Sequence, residues 1–68
     1  MSLELLRDKV REYMRINGYT FRDMEVETRG IIRHSTIRLF VLGRGKPNKS
    51  TISILCDLLG ENMDDYIG

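Results

Sequence analysis

The chain has 68 residues and a mass of 8.0 kDa; 41% of the residues are hydrophobic, 31% are charged, and the formal net charge is +1. A chain of this length folds as one small domain, residues 1–68, which excludes a multidomain arrangement. With one Cys and one His it cannot build a disulfide framework or a four-ligand zinc site, so we expect no metal and no cofactor. The lone Cys fits a reducing compartment, and no apolar run approaches the roughly 18 residues of a membrane span, so we expect a cytoplasmic protein without membrane contact.

The charged residues are unevenly distributed along the chain. Residues 1–28 carry a net charge of −1, and residues 50–68 carry four acids and no base. Between them lie residues 29–49, here called the basic segment, which hold six bases and no acid: Arg29, Arg33, Arg38, Arg44, Lys46 and Lys49. Such a segment is either a solvated surface or a strip that binds a polyanion.

Two helices are predicted in the first half of the chain. The first contains an apolar stripe with spacings of three and four residues, formed by Leu3, Leu6, Val10, Tyr13 and Met14, and Asn17-Gly18 is typical of its end. The second begins near Thr20, because Thr20 and Asp23 match a capping box and Tyr19 and Met24 are placed to form a hydrophobic staple. It is predicted to end near Thr28 and to expose Arg22, Glu25 and Glu27.

Two more helices follow in the second half. A third is predicted from about Arg33 to Leu42, with Ile37, Phe40 and Val41 on its inner side, and Gly43 ends it. A basic loop at residues 44–47 precedes a fourth helix that Asn48 or Ser50 caps and Gly60 closes. Its inward residues are predicted to be Ile52, Leu55, Cys56 and Leu59. Asn62 and Asp65 then cap a short final turn, and no strand-like alternation occurs, so the predicted class is all-α.

Two runs of the chain form a recognisable pattern, Thr20-x-x-x-Met24 and His34-Ser35-Thr36-Ile37 through Gly43 to Pro47. They resemble the lambda-repressor-like (Cro/XRE) DNA-binding family. Thr20-x-x-x-Met24 is similar to the opening of that family's second helix, and the run His34-Ser35-Thr36-Ile37 through Gly43 to Pro47 is similar to its recognition helix and the loop that follows. Residues 48–65 resemble its fourth helix and ending. The resemblance implies a compact four- to five-helix domain with a helix-turn-helix at about residues 20–42.

The same resemblance implies a function and a set of site residues. The chain would be a sequence-specific transcriptional regulator at the nucleoid, a repressor of phage or mobile-element type. Helix 3, at about residues 33–42, would enter the major groove of double-stranded DNA. The base-contacting residues would be His34, Ser35 and Arg38. The residues near phosphates would be Thr20, Arg29, Arg33, Arg44, Lys46 and Lys49.

Several of these residues also have simpler interpretations. Arg38 could be a solvated surface residue, His34 could form a local hydrogen bond, Ser35 could be a helix N-cap, and Thr20 could serve only as a cap. No catalytic set is present, since the hydroxyl next to His34 points about 100° away from it, and no small-molecule ligand is evident. The alternative function on the same fold is a protein-interaction module, such as an antitoxin or anti-repressor partner.

Two departures from the family pattern lie between helices 2 and 3. The offset from Met24 to Ile37 is thirteen residues where the family usually has eleven, and Glu25 stands where the family usually has Ala. Either the turn at residues 29–33 is longer, carrying Arg29 and Arg33 toward phosphate, or the turn is short and Val26 replaces Met24 in the core.

Assembly is the remaining expectation. One helix reads only a few base pairs, so we expect a homodimer on a palindromic operator with half-sites about 34 Å apart. Its predicted contact residues form an apolar patch: Ile54, Leu58, Tyr66 and Ile67. The competing interpretation is that the final turn folds back over Ile54 and Leu58 in the same chain.

Overall fold

The computed structural model describes residues 3–66, apart from the side chain of Asp65. In this range the chain forms four α-helices and no strand: α1 (Leu3–Asn17), α2 (Phe21–Glu27), α3 (His34–Val41) and α4 (Lys49–Leu59). A 3-10 helix (Met63–Asp65) follows α4 and is the predicted final turn. The all-α class and the four helices are thus confirmed. No helix in the described range has the length and apolar character needed to span a membrane.

One hydrophobic core joins the four helices. The apolar stripe of α1 supplies Leu6 and Val10, both fully buried, and α3 supplies its three predicted inner residues, Ile37, Phe40 and Val41. From α4 come Ile52, Leu55 and Cys56, while Leu59 is only half-buried. Helices α2 and α3 pack on each other, and α1 contacts both α3 and α4. The periodicities read from the sequence therefore identify the buried faces of α1, α3 and α4.

Side-chain caps begin three of the elements. The Thr20 hydroxyl accepts a hydrogen bond from the Asp23 N–H, and the Asp23 carboxylate accepts one from the Thr20 N–H, which confirms the capping box of α2. Asn48 caps α4 by accepting from the Thr51 N–H, so of the two predicted caps Asn48 is correct and Ser50 is not. Asn62 accepts from the Asp64 N–H at the 3-10 helix. The predicted role of the Asp65 side chain lies outside the described part of the structure.

The end of the described chain folds back onto the domain. The 3-10 helix contacts α4, and Tyr66 is only 5% exposed, as part of the chain's own core. Lys9 on α1 pairs with Glu61, and this hydrogen bond raises the pKa of the Lys9 ammonium. The Tyr66 hydroxyl is buried without a hydrogen bond of ordinary geometry to any described residue, although it lies near enough to Lys9 to add to the rise in that pKa. These contacts hold the 3-10 helix and Tyr66 against α1 and α4.

Candidate nucleic-acid interface

The connection between α2 and α3 is six residues long, from Thr28 to Arg33. Met24 is fully buried and Val26 is 72% exposed, so the interpretation in which Val26 replaces Met24 in the core is wrong. The longer turn is the one that the structure shows. The offset of thirteen residues between Met24 and Ile37 is therefore accommodated in the connection, and both residues keep their core positions.

A hydrogen-bonded helix end and a buried threonine shape this turn. The Gly30 N–H donates to the Glu25 carbonyl and the Arg29 N–H donates to the Val26 carbonyl, the pattern of a Schellman motif. Its left-handed position is held by Arg29, with φ of 57°, and Gly30 follows with φ of 74°. Thr28 is buried and its hydroxyl accepts a hydrogen bond from the Ile32 N–H, which anchors the far side of the turn.

Glu25 connects α2 to the first residue of α3. Its Oε1 accepts a hydrogen bond from the His34 N–H at 2.7 Å and lies 3.1 Å from His34 Nδ1. The backbone N–H of His34 is the main cause of a lowered pKa for the Glu25 carboxyl, followed by the imidazole. Glu25 is half-buried, so the prediction that it is simply an exposed residue of α2 is wrong. The carboxylate satisfies an amide that the start of α3 would otherwise leave without a partner.

The three predicted base-contacting residues have different surroundings. Ser35 and Arg38 are exposed, whereas His34 is half-buried and its Nδ1 is occupied by Glu25. The local hydrogen bond considered for His34 thus exists. Ser35 is the second residue of α3, and the N-cap position is held by Arg33, whose side chain makes no capping bond, so the N-cap interpretation of Ser35 is wrong. At 100° per residue, Ser35 lies close to the centre of the outward face.

The basic segment places exposed cations before, on and after α3 in the sequence. All six of its Lys and Arg residues are exposed, and none forms a salt bridge with a described carboxylate: Arg29, Arg33, Arg38, Arg44, Lys46 and Lys49. On α1 the situation is different. Lys9 pairs with Glu61, Arg11 with Asp8 and Arg15 with Glu12. Eight described Lys and Arg residues form no salt bridge, and six of them belong to the basic segment, the other two being Arg7 and Arg22. Within the basic segment, Arg33 lies near enough to Glu25 to help lower the pKa of that carboxyl.

The loop after α3 folds alongside that helix. Arg44, Lys46 and Pro47 line a shallow groove with Thr36 and Leu39 of α3. Gly43, with φ of 77°, ends the helix and allows the chain to turn into this position. The structure thus brings two of the predicted phosphate contacts next to the outward face of α3. Thr20, another predicted contact, is exposed at the N-terminus of α2, where its hydroxyl serves as the cap.

Two arginines of α1 hold the other end of α3. Arg7 Nε donates to the Phe40 carbonyl at 2.7 Å, with its guanidinium 5.5 Å from the centre of the Phe40 ring, and Arg11 donates to the Val41 carbonyl. These carbonyls are among the four that every helix leaves without an internal partner at its C-terminus, and cations are favourable there. Sequence reasoning missed both contacts, because they join residues that are 33 and 30 positions apart.

The predicted dimer residues do not form one exposed patch. Tyr66 is buried in its own chain, so the prediction that it contacts a second copy is corrected, and Ile67 lies outside the described residues. Ile54 and Leu58 are half-buried against the core. They line a groove with Ile31 of the α2–α3 connection, which is 67% exposed, and this groove also contains the charged residues Glu27, Arg29 and Asp57. The apolar surface here is therefore smaller than predicted and includes a residue from the α2–α3 connection.

Comparisons with models of known protein families, with curated proteins and with solved structures gave no match to this chain.

Proposed function

We propose that this protein binds double-stranded DNA in a sequence-specific manner and regulates transcription, with α3 in the major groove. One observation carries the proposal: the exposed polar side chains of α3 are preceded and followed in sequence by exposed cations that form no described salt bridge. Counterion release from DNA favours cations placed around the groove, and they add affinity without reading the sequence. The proposal assigns this role to Arg29 and Arg33 before α3 and to Arg44, Lys46 and Lys49 after it.

In this proposal, the outward face of α3 recognises the bases of the DNA. The major groove of B-DNA admits one α-helix, and each base pair presents a distinct set of donors and acceptors there. Arg38 is exposed on this face and is the candidate for a bidentate contact to guanine, the commonest specific contact. Ser35 is exposed beside it and can donate or accept. His34 is one turn before Arg38 and reaches the same groove.

The proposal includes the fold family and the mode of action. In it, α2, the six-residue turn and α3 form a lambda-repressor-like helix-turn-helix with an enlarged turn, as the sequence resemblance implies. The protein then represses by occupying a promoter, in the manner of phage and mobile-element repressors. Two copies bind a palindromic operator, because a single helix of eight residues contacts too few base pairs for specificity.

Selection of binding sites from random duplexes tests this proposal and yields the operator. On the selected duplex, we expect Arg38→Ala to weaken binding about 5- to 150-fold, which corresponds to about 1–3 kcal/mol, and to leave non-specific binding nearly unchanged. Arg22→Ala is the matched control, since Arg22 is an exposed arginine of α2 outside the basic segment. Equal losses of affinity for specific and non-specific DNA would show that Arg38 contacts the DNA backbone and not a base. If the selection enriches no sequence, the proposed function is refuted.

A second function is favoured by three aliphatic side chains, Ile31, Ile54 and Leu58, that share one groove with Glu27, Arg29 and Asp57. An exposed isoleucine beside two half-buried aliphatic residues is a surface that a protein partner could cover, as in an antitoxin or anti-repressor module. The two functions differ in the role of the basic segment. Only DNA binding predicts an affinity that falls steeply as salt concentration rises.

A further inference from the structure

Glu25 contacts His34 twice through the same carboxylate oxygen. Oε1 accepts from the backbone N–H at 2.7 Å and lies 3.1 Å from the ring nitrogen Nδ1. The first contact caps α3, and the second fixes the imidazole relative to the helix. Nearby Arg33 adds a favourable charge to the carboxylate. The residue at the start of α3 is therefore held by a side chain nine positions earlier in the sequence.

This contact determines which nitrogen of the neutral ring carries the proton. A carboxylate can only accept hydrogen bonds, so Nδ1 must be the donor and must carry the hydrogen. In the neutral imidazole, Nε2 is then left with a lone pair and acts as an acceptor. The His34 side chain is 41% exposed, and Nε2 makes no hydrogen bond with a described residue. An outside ligand therefore meets an acceptor at this position.

We propose that Glu25 is a positioning residue that presents His34 Nε2 as a hydrogen-bond acceptor to DNA, so that His34 accepts a hydrogen bond from the major-groove amino group of adenine or cytosine. In the major groove such donors are the N6 amino group of adenine and the N4 amino group of cytosine, whereas guanine and thymine present acceptors and a methyl group. This inference rests on the proposed function and adds to it the base class that His34 reads and the residue that sets this choice.

The first experiment needs no DNA. His34 is the sole histidine of the chain, so long-range nitrogen–proton NMR spectra of a labelled sample report its ring without ambiguity. At pH 8.5 we expect the wild type to show the Nδ1–H tautomer. Glu25→Gln keeps an acceptor oxygen and retains this tautomer, while Glu25→Ala shifts the ring to the Nε2–H form. Asp57→Ala, which removes an exposed acid elsewhere, leaves it unchanged.

The wild-type spectrum alone decides this step, even if Glu25→Ala does not fold. An Nε2–H tautomer in the wild type would overturn the inference, whatever the protein does with DNA. A tautomer that stays Nδ1–H in a folded Glu25→Ala variant would also overturn it, because Glu25 would then have no role in setting the ring.

The second experiment reads the base. Site selection with the wild type and with His34→Ala identifies the position whose preference relaxes when the imidazole is lost. Every base pair presents one amino group in the major groove, on its adenine or its cytosine, so the decisive step replaces that base of the enriched pair with an analogue that lacks the amino group. We expect this replacement to weaken wild-type binding about five- to tenfold and to have no effect on His34→Ala. Glu25→Ala should relax the same position, and Asp57→Ala should not.

Two outcomes of the second experiment separate the inference from the proposed function. Wild-type binding that is unchanged by removal of the amino group, or weakened equally in His34→Ala, refutes the inference and leaves DNA binding intact. If no sequence is enriched at all, both the proposed function and the base contact of His34 are refuted. The NMR spectra still establish whether Glu25 sets the tautomer of the His34 ring.

Discussion

Arg29 holds a backbone conformation that normally requires glycine, and this makes a direct test of the α2–α3 turn. Among the described residues it is the one non-glycine residue with a positive φ, 57°, at the left-handed position of the Schellman motif. A residue with a Cβ in this conformation destabilises the folded state by about 1–2 kcal/mol. Glycine avoids that strain, but its greater backbone entropy in the unfolded chain lowers the free energy of unfolding by about 0.5–1 kcal/mol. We therefore expect Arg29→Gly to stabilise the domain by about 0.5–1 kcal/mol.

Thermal and urea denaturation followed by circular dichroism at 222 nm measures this change. For a domain of this size the expected gain corresponds to a rise in Tm of about 2–8 °C. Arg29→Ala removes the same charge but retains a Cβ, so it should give no such gain. Arg44→Gly removes an exposed arginine from a position without a left-handed φ and should lower stability by about 0.5–1 kcal/mol.

The pattern among these variants matters more than the size of any single shift. An Arg29→Gly protein no more stable than the wild type would refute the strained turn described above. A gain of equal size in Arg29→Ala would attribute the effect to charge and not to backbone geometry. If Arg44→Gly also gained stability, the loss of a cation from the basic segment would be the common cause.

Three further predictions concern charge, assembly and acid stability. Lys46→Ala should weaken specific and non-specific DNA binding alike and reduce the magnitude of the slope of log affinity against log salt by about 0.9. An unchanged slope would show that Lys46 makes no contact with phosphate. Sedimentation with a palindromic operator should show two wild-type chains per duplex and fewer for Leu58→Glu, and a wild-type complex with one chain would end the dimer hypothesis. Because hydrogen bonds from His34 lower the Glu25 pKa below its ordinary 4.5, Glu25 stabilises the fold above about pH 4.5, and this contribution disappears as pH falls through the lowered pKa. Urea denaturation between pH 2.5 and 6 should therefore show a steeper acid loss for the wild type than for Glu25→Gln, whereas parallel losses would contradict the role of this carboxylate.

Local sequence signals predicted the helices and most of their ends. The capping box of Thr20 and Asp23 depends on a spacing of three residues, and the Asn48 cap depends on the same spacing to the Thr51 N–H. Gly43 and Gly60 end helices because their left-handed backbone is inexpensive only for glycine. Such interactions join neighbours in sequence, so the residue types alone reveal them.

Contacts between helices escaped prediction because they depend on how the helices cross. Glu25 departed from the family pattern, and that departure was visible, but its carboxylate finds His34 only because α2 and α3 pack with these two positions adjacent. The burial of Tyr66 was also missed. This residue follows a 3-10 helix of only three residues, Met63–Asp65, which is too short for periodicity to indicate the side that faces the core. The order of the cations before, on and after α3 follows from the sequence, whereas the exposure of each of them is a property that only the fold supplies.

The hydrogen bonds of Arg7 and Arg11 to the end of α3 also affect what association with a ligand costs. Together with Glu25 at the start of the helix, they fix α3 to α1 and α2 before any partner arrives. The conformational entropy of this helix is therefore lost during folding and not during association. Side chains such as Arg38 still lose rotamer freedom on contact, but the backbone that carries them adds almost nothing to the entropic penalty of forming a complex.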